Sequence, residues 1–304
     1  MKALTVLLCS KLKHNVFILF IAAVLCGCAQ TSPQFEVLNE TADDGISAQQ
    51  IFDNTFTQHG GHRLDELKDV NVAIDGDWYY LITRIQPLVT DHKYRQRSEE
   101  RIILSPSTYA VTYQGEAGSK QVFRSVNTTQ VAYDDNPTFD EQTLSATALT
   151  SDAFYLFSLG PLALSGRNLD WERLDDGKQK NRSYYRINAE MTPGFGDSTS
   201  DFISLWVDKE TNLTFRVHIT LEGFETTKGA HVDTTYLNYT EIDGFTFPVH
   251  FFERVLGPIR IDAHEWWYTG IDINRALVTS DVSLGNWSPK AAVPAASFEN
   301  ARRP

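Results

Sequence analysis

The sequence predicts an α+β fold made mostly of antiparallel strands. Three observations carry that prediction. Apolar residues recur with period two in run after run from Val70 onward. Short turn-forming stretches separate those runs, where parallel strands would need long crossovers. Only two segments show a helical pattern, a short one ahead of the first strand and a strongly apolar one in mid-chain.

The first helical segment begins at Ser47 with Gln50 three residues on, a capping-box spacing, and the pair Gly60-Gly61 stops it. Ile51, Phe52 and Phe56 form its apolar side, and a second small turn over 63–68 leads into strand. Val70, Val72, Ile74, Trp78, Tyr80 and Ile82 share one parity, interrupted by Gly76, a bulge or bend. Further strands are expected over 94–104, 109–113, 121–126 and 130–133, with Ser105-Pro106-Ser107 and Gly115-Glu116-Ala117-Gly118 as turns.

The mid-chain helix falls within 139–164, carries Phe154, Tyr155, Phe157 and Leu159, and ends at Gly160-Pro161. It reads as a core helix or as a cover over the mouth of a curved sheet. A polar stretch over 175–181 forms a hairpin tip, and Pro193-Gly194-Phe195-Gly196 forms a loop. Leu213, Phe215, Val217, Ile219 and Leu221 then alternate with Thr214, Arg216, His218 and Thr220, the pattern of a half-buried strand. Strands over 202–207 and 232–239 flank it; the second turns at Asp243-Gly244 into Phe245, Phe247, Val249 and Phe251. A last strand over 259–268 holds Trp266 and Trp267, and the Ala/Pro-rich segment 288–304 is expected to be a disordered tail.

At the amino end, Lys11, Lys13 and His14 precede an apolar run over 16–25 that closes on Leu25-Cys26-Gly27-Cys28. This is the order of a secretory signal, and the run is short for a membrane span. The final four residues resemble a bacterial lipobox. That resemblance implies a signal peptide over 1–27, lipidation of Cys28, and a flexible polar tether over 28–46. An ordinary cleaved signal or an uncleaved anchor are the alternatives. Ala29 and Gln30 lack the aspartate that retains lipoproteins in the inner membrane, so the expected address is the outer membrane, facing the periplasm.

Cys9 and Cys26 lie in the signal, which leaves Cys28 alone and makes an internal disulfide impossible. The net charge is −12, and losing Lys2, Lys11 and Lys13 with the signal lowers it to −15. So acidic a chain disfavours nucleic acid and unaided adhesion to anionic lipid. The membrane partner would be reached through the lipid on Cys28, while any protein partner is left open.

Signatures of catalysis are sparse. His264-Glu265-Trp266-Trp267-Tyr268 begins like a zinc-protease helix, but Tyr268 stands where the second histidine belongs and the segment reads as strand. His59 and His62 flank a helix stop, where solvated or capping roles are commoner than metal binding. The sequence holds no nucleophile elbow, phosphate loop or dinucleotide fingerprint. His218, His250 and His264 fall in separate strands and read as independent residues. No catalytic residue, metal site or cofactor is therefore assigned.

Several hairpins resemble those of the LolA/LolB-like periplasmic lipoprotein carriers. Leu205-Trp206-Val207-Asp208-Lys209-Glu210-Thr211 with Leu213 and Arg216 matches an acidic-tipped hairpin of that group. Tyr236-Leu237-Asn238-Tyr239, Ile242-Asp243-Gly244-Phe245 and Phe247-Pro248 match a later one. The resemblance spans about 47–275 within a domain over 47–287. It implies a strongly curved sheet, an open half-barrel, with helices covering the concave face and an apolar cavity for acyl chains. The candidate ligand-binding residues are Trp78, Tyr80, Phe154, Phe157, Phe215, Val217, Ile219 and Phe247. The expected function is that of a non-enzymatic, lipid-anchored envelope protein binding an acyl chain, lipid or lipoprotein. An envelope interaction or structural lipoprotein with a filled core is the alternative. A hydrolase would require titratable side chains converging in one cleft.

Overall fold

In the computed structural model, which describes residues 44–295, Ser47 caps the first helix, α1 (Ala48–Gln58), as its spacing predicts. The Ser47 hydroxyl accepts from the Gln50 amide, and the Gln50 side chain accepts from the Ser47 amide. The signal, Cys28 and the chain beyond 295 lie outside the described residues.

Among the described residues thirteen strands follow: β1 (Asp69–Trp78), β2 (Arg97–Ile103), β3 (Thr108–Gly115), β4 (Gly118–Ser125), β5 (Thr128–Tyr133), β6 (Asn136–Thr138), β7 (Glu172–Gln179), β8 (Arg182–Met191), β9 (Asp201–Asp208), β10 (Thr214–Thr220), β11 (His231–Ile242), β12 (Phe245–Gly257) and β13 (Ile261–Ile273). They form one antiparallel sheet in the order β6-β5-β4-β3-β2-β1-β13-β12-β11-β10-β9-β8-β7. The first and last strands thus pair at its centre, and β6 and β7 remain as free edges. The predicted mid-chain helix, here α4 (Glu141–Leu159), joins those two edges. It touches β3, β4 and β5 from one half of the sheet and β12 from the other. A flat sheet cannot present both halves to one helix, so the sheet curves around α4 and stays open. The α+β class and the open curved sheet are as predicted.

Three local departures from the sequence reading have physical causes. The run predicted to carry Tyr80 and Ile82 as strand instead forms two short helices, α2 (Tyr80–Ile85) and α3 (Pro87–Thr90). Ile82, Ile85 and Val89 are spaced three and four apart, a helical period that the preceding two-residue alternation masked. Second, β10 carries a bulge between Thr214 and Arg216, so the alternation slips at Phe215. Thr214 becomes fully buried, its hydroxyl 2.9 Å from that of Thr55 on α1. Phe215 leaves the core and stacks on Tyr184 on the outer face, with 4.4 Å between ring centroids.

Third, the tail expected to be disordered from 288 is held through residue 295. Pro294 bridges Gly270, and the Lys290 and Ala291 carbonyls accept from Arg101 and Arg275. The segment leading to it covers an outer-face cluster of Ile103, Ala110 and Val282, with Trp287 packed against it.

Gly76 is where a side chain is sterically excluded. A Cβ there would stand 2.7 Å from both the Glu265 carbonyl and the Trp266 Cβ. Its absence lets Trp266 lie on the concave face, stacked at 4.8 Å on Phe251 and 5.1 Å on Phe154.

Asp201 secures the loop that abuts α4. Almost fully buried, it accepts from the Phe195 amide at 2.9 Å, the Thr220 hydroxyl at 2.7 Å and the Glu222 amide at 3.0 Å. Asp201→Ala leaves three donors without their acceptor and is expected to cost about 3 kcal/mol in urea unfolding. Hydrogen exchange at Phe195 and Glu222 should accelerate with it; unchanged protection would show that other contacts hold the loop.

Candidate ligand cavity

Between α4, the α2–α3 pair and the concave face of β10 to β13 lies a cavity of about 270 Å³. The helix α4 supplies Leu149, Ala153, Phe154 and Phe157, while α2 and α3 supply Ile82, Ile85 and Val89. The opposite wall comes from Trp78, Ile219, Val232 and Val255. Inward positions on β12 are Phe245, Phe247, Val249, Phe251 and then Glu253, so the alternation that buries the aromatics also carries one carboxyl into the wall. On β13 the register slips at Ala263, which brings Ile261 and Ala263 to the cavity while His264 still faces inward.

The mouth is apolar as well. Ile85 and Ile259 line it yet are 44% and 58% exposed, so they form a rim. Tyr80, Leu81 and Leu88 stand exposed on the outward side of α2 and α3. These helices are short, and Pro87 starts the second, so the α2–α3 corner presents apolar side chains in both directions.

Polar groups are few and mostly buried. Arg95 is 5% exposed, and its guanidinium carbon lies 4.9 Å from the Phe154 ring, 5.1 Å from Trp78 and 5.2 Å from Tyr113. One terminal nitrogen donates to the Val89 carbonyl at 2.9 Å, and Nε has no hydrogen-bond partner. Burial pushes the Glu253 carboxyl up to about 7, against the opposing pull of the Arg95 charge. His264 is stacked 3.8 Å from Trp78, and burial followed by the Arg95 charge holds it well below its usual range, hence neutral. Deeper in the core, Glu100 is likewise raised to about 7 by burial.

The structure brings Trp78, Phe154, Phe157 and Ile219 together in this wall. Val217 and Phe247 are fully buried in the packed core and do not line the cavity. Tyr80 is 77% exposed because the chain has turned into α2. Phe215 faces away, displaced by the β10 bulge. Sequence reasoning passed over Arg95 and Glu253. Glu253 was legible as the one acid on an otherwise apolar parity, whereas Arg95 lies between strands with no pattern to mark it.

The three histidines considered together occupy separate sites. His218 Nε2 lies 2.7 Å from His231 Nδ1, His250 lies 3.0 Å from the Glu265 carboxyl, and His264 stacks on Trp78, behind the cavity wall. Among the described residues, no three metal-ligating side chains gather, and no helix is long and apolar enough to cross a membrane.

No protein-family model matches the chain, and no curated protein does. Solved structures do. A LolA superfamily protein from Nitrosomonas europaea matches with a TM-score of 0.46 and 12% identity, covering 78% of this chain and 98% of the other. A domain assigned to outer membrane lipoprotein sorting in Vibrio parahaemolyticus matches with a TM-score of 0.41 and 12% identity over 78% and 97%. A DUF1329 family protein from Desulfovibrio piger matches with a TM-score of 0.40 and 11% identity over the same shares. The chain is thus similar in structure, at low sequence identity, to LolA superfamily proteins, the group its hairpins resemble.

Proposed function

We propose that this protein is a lipid-anchored envelope protein that binds a hydrophobic ligand, an acyl chain or lipid, in the cavity between α4, α2–α3 and the sheet. The observation that carries the reading is the apolar wall around about 270 Å³, continuous with an exposed apolar rim at Ile85 and Ile259. An alkyl chain leaving water for such a wall gains about 0.8 kcal/mol per methylene, less the cost of ordering it. Eight methylenes would supply roughly 6 kcal/mol gross, enough for reversible capture. Under this reading Cys28 is lipidated, the segment after it is a tether, and the cavity works beside the outer membrane on its periplasmic face. The role is binding, without chemistry on the ligand.

Native mass spectrometry with lipid extraction tests this on the purified protein. The expected result is a co-purifying acyl species, or uptake of added fatty acid or phospholipid. A clean apo mass with no uptake would sink the reading and favour an envelope interaction module.

A further inference from the structure

The cavity is not uniformly apolar. Of the residues lining it, the charged ones are Arg95, Lys228 and Glu253. Lys228 belongs to the surface, with its side chain 57% exposed and ion-paired to Glu225 at 2.7 Å. The other two belong to the interior. Arg95 is nine-tenths buried among three aromatic rings, with an N–H left unpartnered. The groups that act on Glu253 are the Arg95 and Asp233 charges, with no hydrogen bond among them. Two polar side chains thus meet an apolar cavity with bonding capacity unspent, which is costly unless a ligand or water uses it.

We propose that the cavity binds a medium-chain carboxylate head-first, its carboxylate held by Arg95 and Glu253 and its alkyl tail directed toward Ile85 and Ile259. The proposal rests on the hydrophobic-ligand reading above and adds the head group and the orientation. Charge selects the class. Below pH 7, where burial keeps the Glu253 carboxyl mostly protonated, both it and Arg95 act as hydrogen-bond donors, and a singly charged acceptor satisfies both. An ammonium head would meet the buried guanidinium and be repelled. Size limits the chain: at about 30 Å³ for a water-sized group, 270 Å³ holds roughly nine such groups. A carboxylate of about seven carbons, with roughly nine heavy atoms, fills it, and the end of a longer tail such as that of decanoate emerges through the apolar rim.

Calorimetric titration of the purified protein at pH 6 with decanoate and with 1-decanol tests this directly. Decanoate is expected to bind at least tenfold more tightly than the alcohol of equal length. Arg95→Met should remove that advantage while leaving 1-decanol binding in place. Glu253→Gln keeps a neutral donor and should preserve decanoate binding at pH 8.5, where the wild-type carboxyl is ionised and binding falls. Asp233, on the neighbouring strand, opposes that ionisation, and Arg95 favours it. Equal binding of acid and alcohol by the wild type would overturn the proposal without using any variant. Absence of binding by both would instead overturn the cavity reading, and this inference with it.

Discussion

Ala153→Trp is expected to abolish acyl-chain uptake while leaving the protein as stable as before or slightly more so. Ala153 is buried on α4 and lines the cavity beside Phe154 and Phe157. An indole there occupies space that a ligand would fill, and its apolar surface replaces a void. Cavity filling of this kind typically adds about 0.5–2 kcal/mol. Uptake of a fluorescent fatty acid should fall at least tenfold, with the apparent Tm held or raised. A filled core predicts the opposite stability result, since overpacking costs about 1–3 kcal/mol. A lowered Tm, with no uptake by either protein, would therefore refute the open-cavity reading.

The second large effect concerns His59, which joins α1 to the sheet. It is fully buried, with Nδ1 2.8 Å from the Thr246 carbonyl and Nε2 accepting from the Thr214 amide at 3.2 Å. Those partners require the neutral tautomer with the proton on Nδ1. Burial lowers its pKa to about 4, against the favourable pull of the Thr246 carbonyl. The unfolded chain titrates this ring near 6.5, so between 6.5 and about 4 it binds more protons than the folded protein. Stability from this group is therefore full above pH 6.5 and lost as pH falls, by about 3 kcal/mol in total.

His59→Ala removes that dependence and strands the Thr214 amide and the Thr246 carbonyl. It should cost about 3 kcal/mol at pH 7.5 and progressively less toward pH 4.5. Urea unfolding of both proteins across that range measures the difference, which separates His59 from other buried histidines. A constant difference at every pH would mean that His59 is not buried in its neutral form.

What the sequence by itself determined was local and periodic. Alternation named most strands, the Ser47–Gln50 spacing located α1, and Gly160-Pro161 ended α4 at the right place. The turn-separated alternation also pointed to the open antiparallel sheet that is found. Tertiary structure alone decided which apolar residues face empty space. Val217 and Ile219 share one parity on one strand, yet the first meets packed side chains and the second meets the cavity. Sequence period reports the side of a strand, not the distance to what lies opposite. A one-residue bulge at Phe215 and a helical turn after Trp78 each changed a side chain's destination: the bulge sets Thr214 against Thr55 of α1, and the turn follows a helical spacing masked by the alternation before it. The site is likewise a product of closure: Arg95, Phe154 and Glu253 become neighbours only because α4 returns across a sheet whose first and last strands pair.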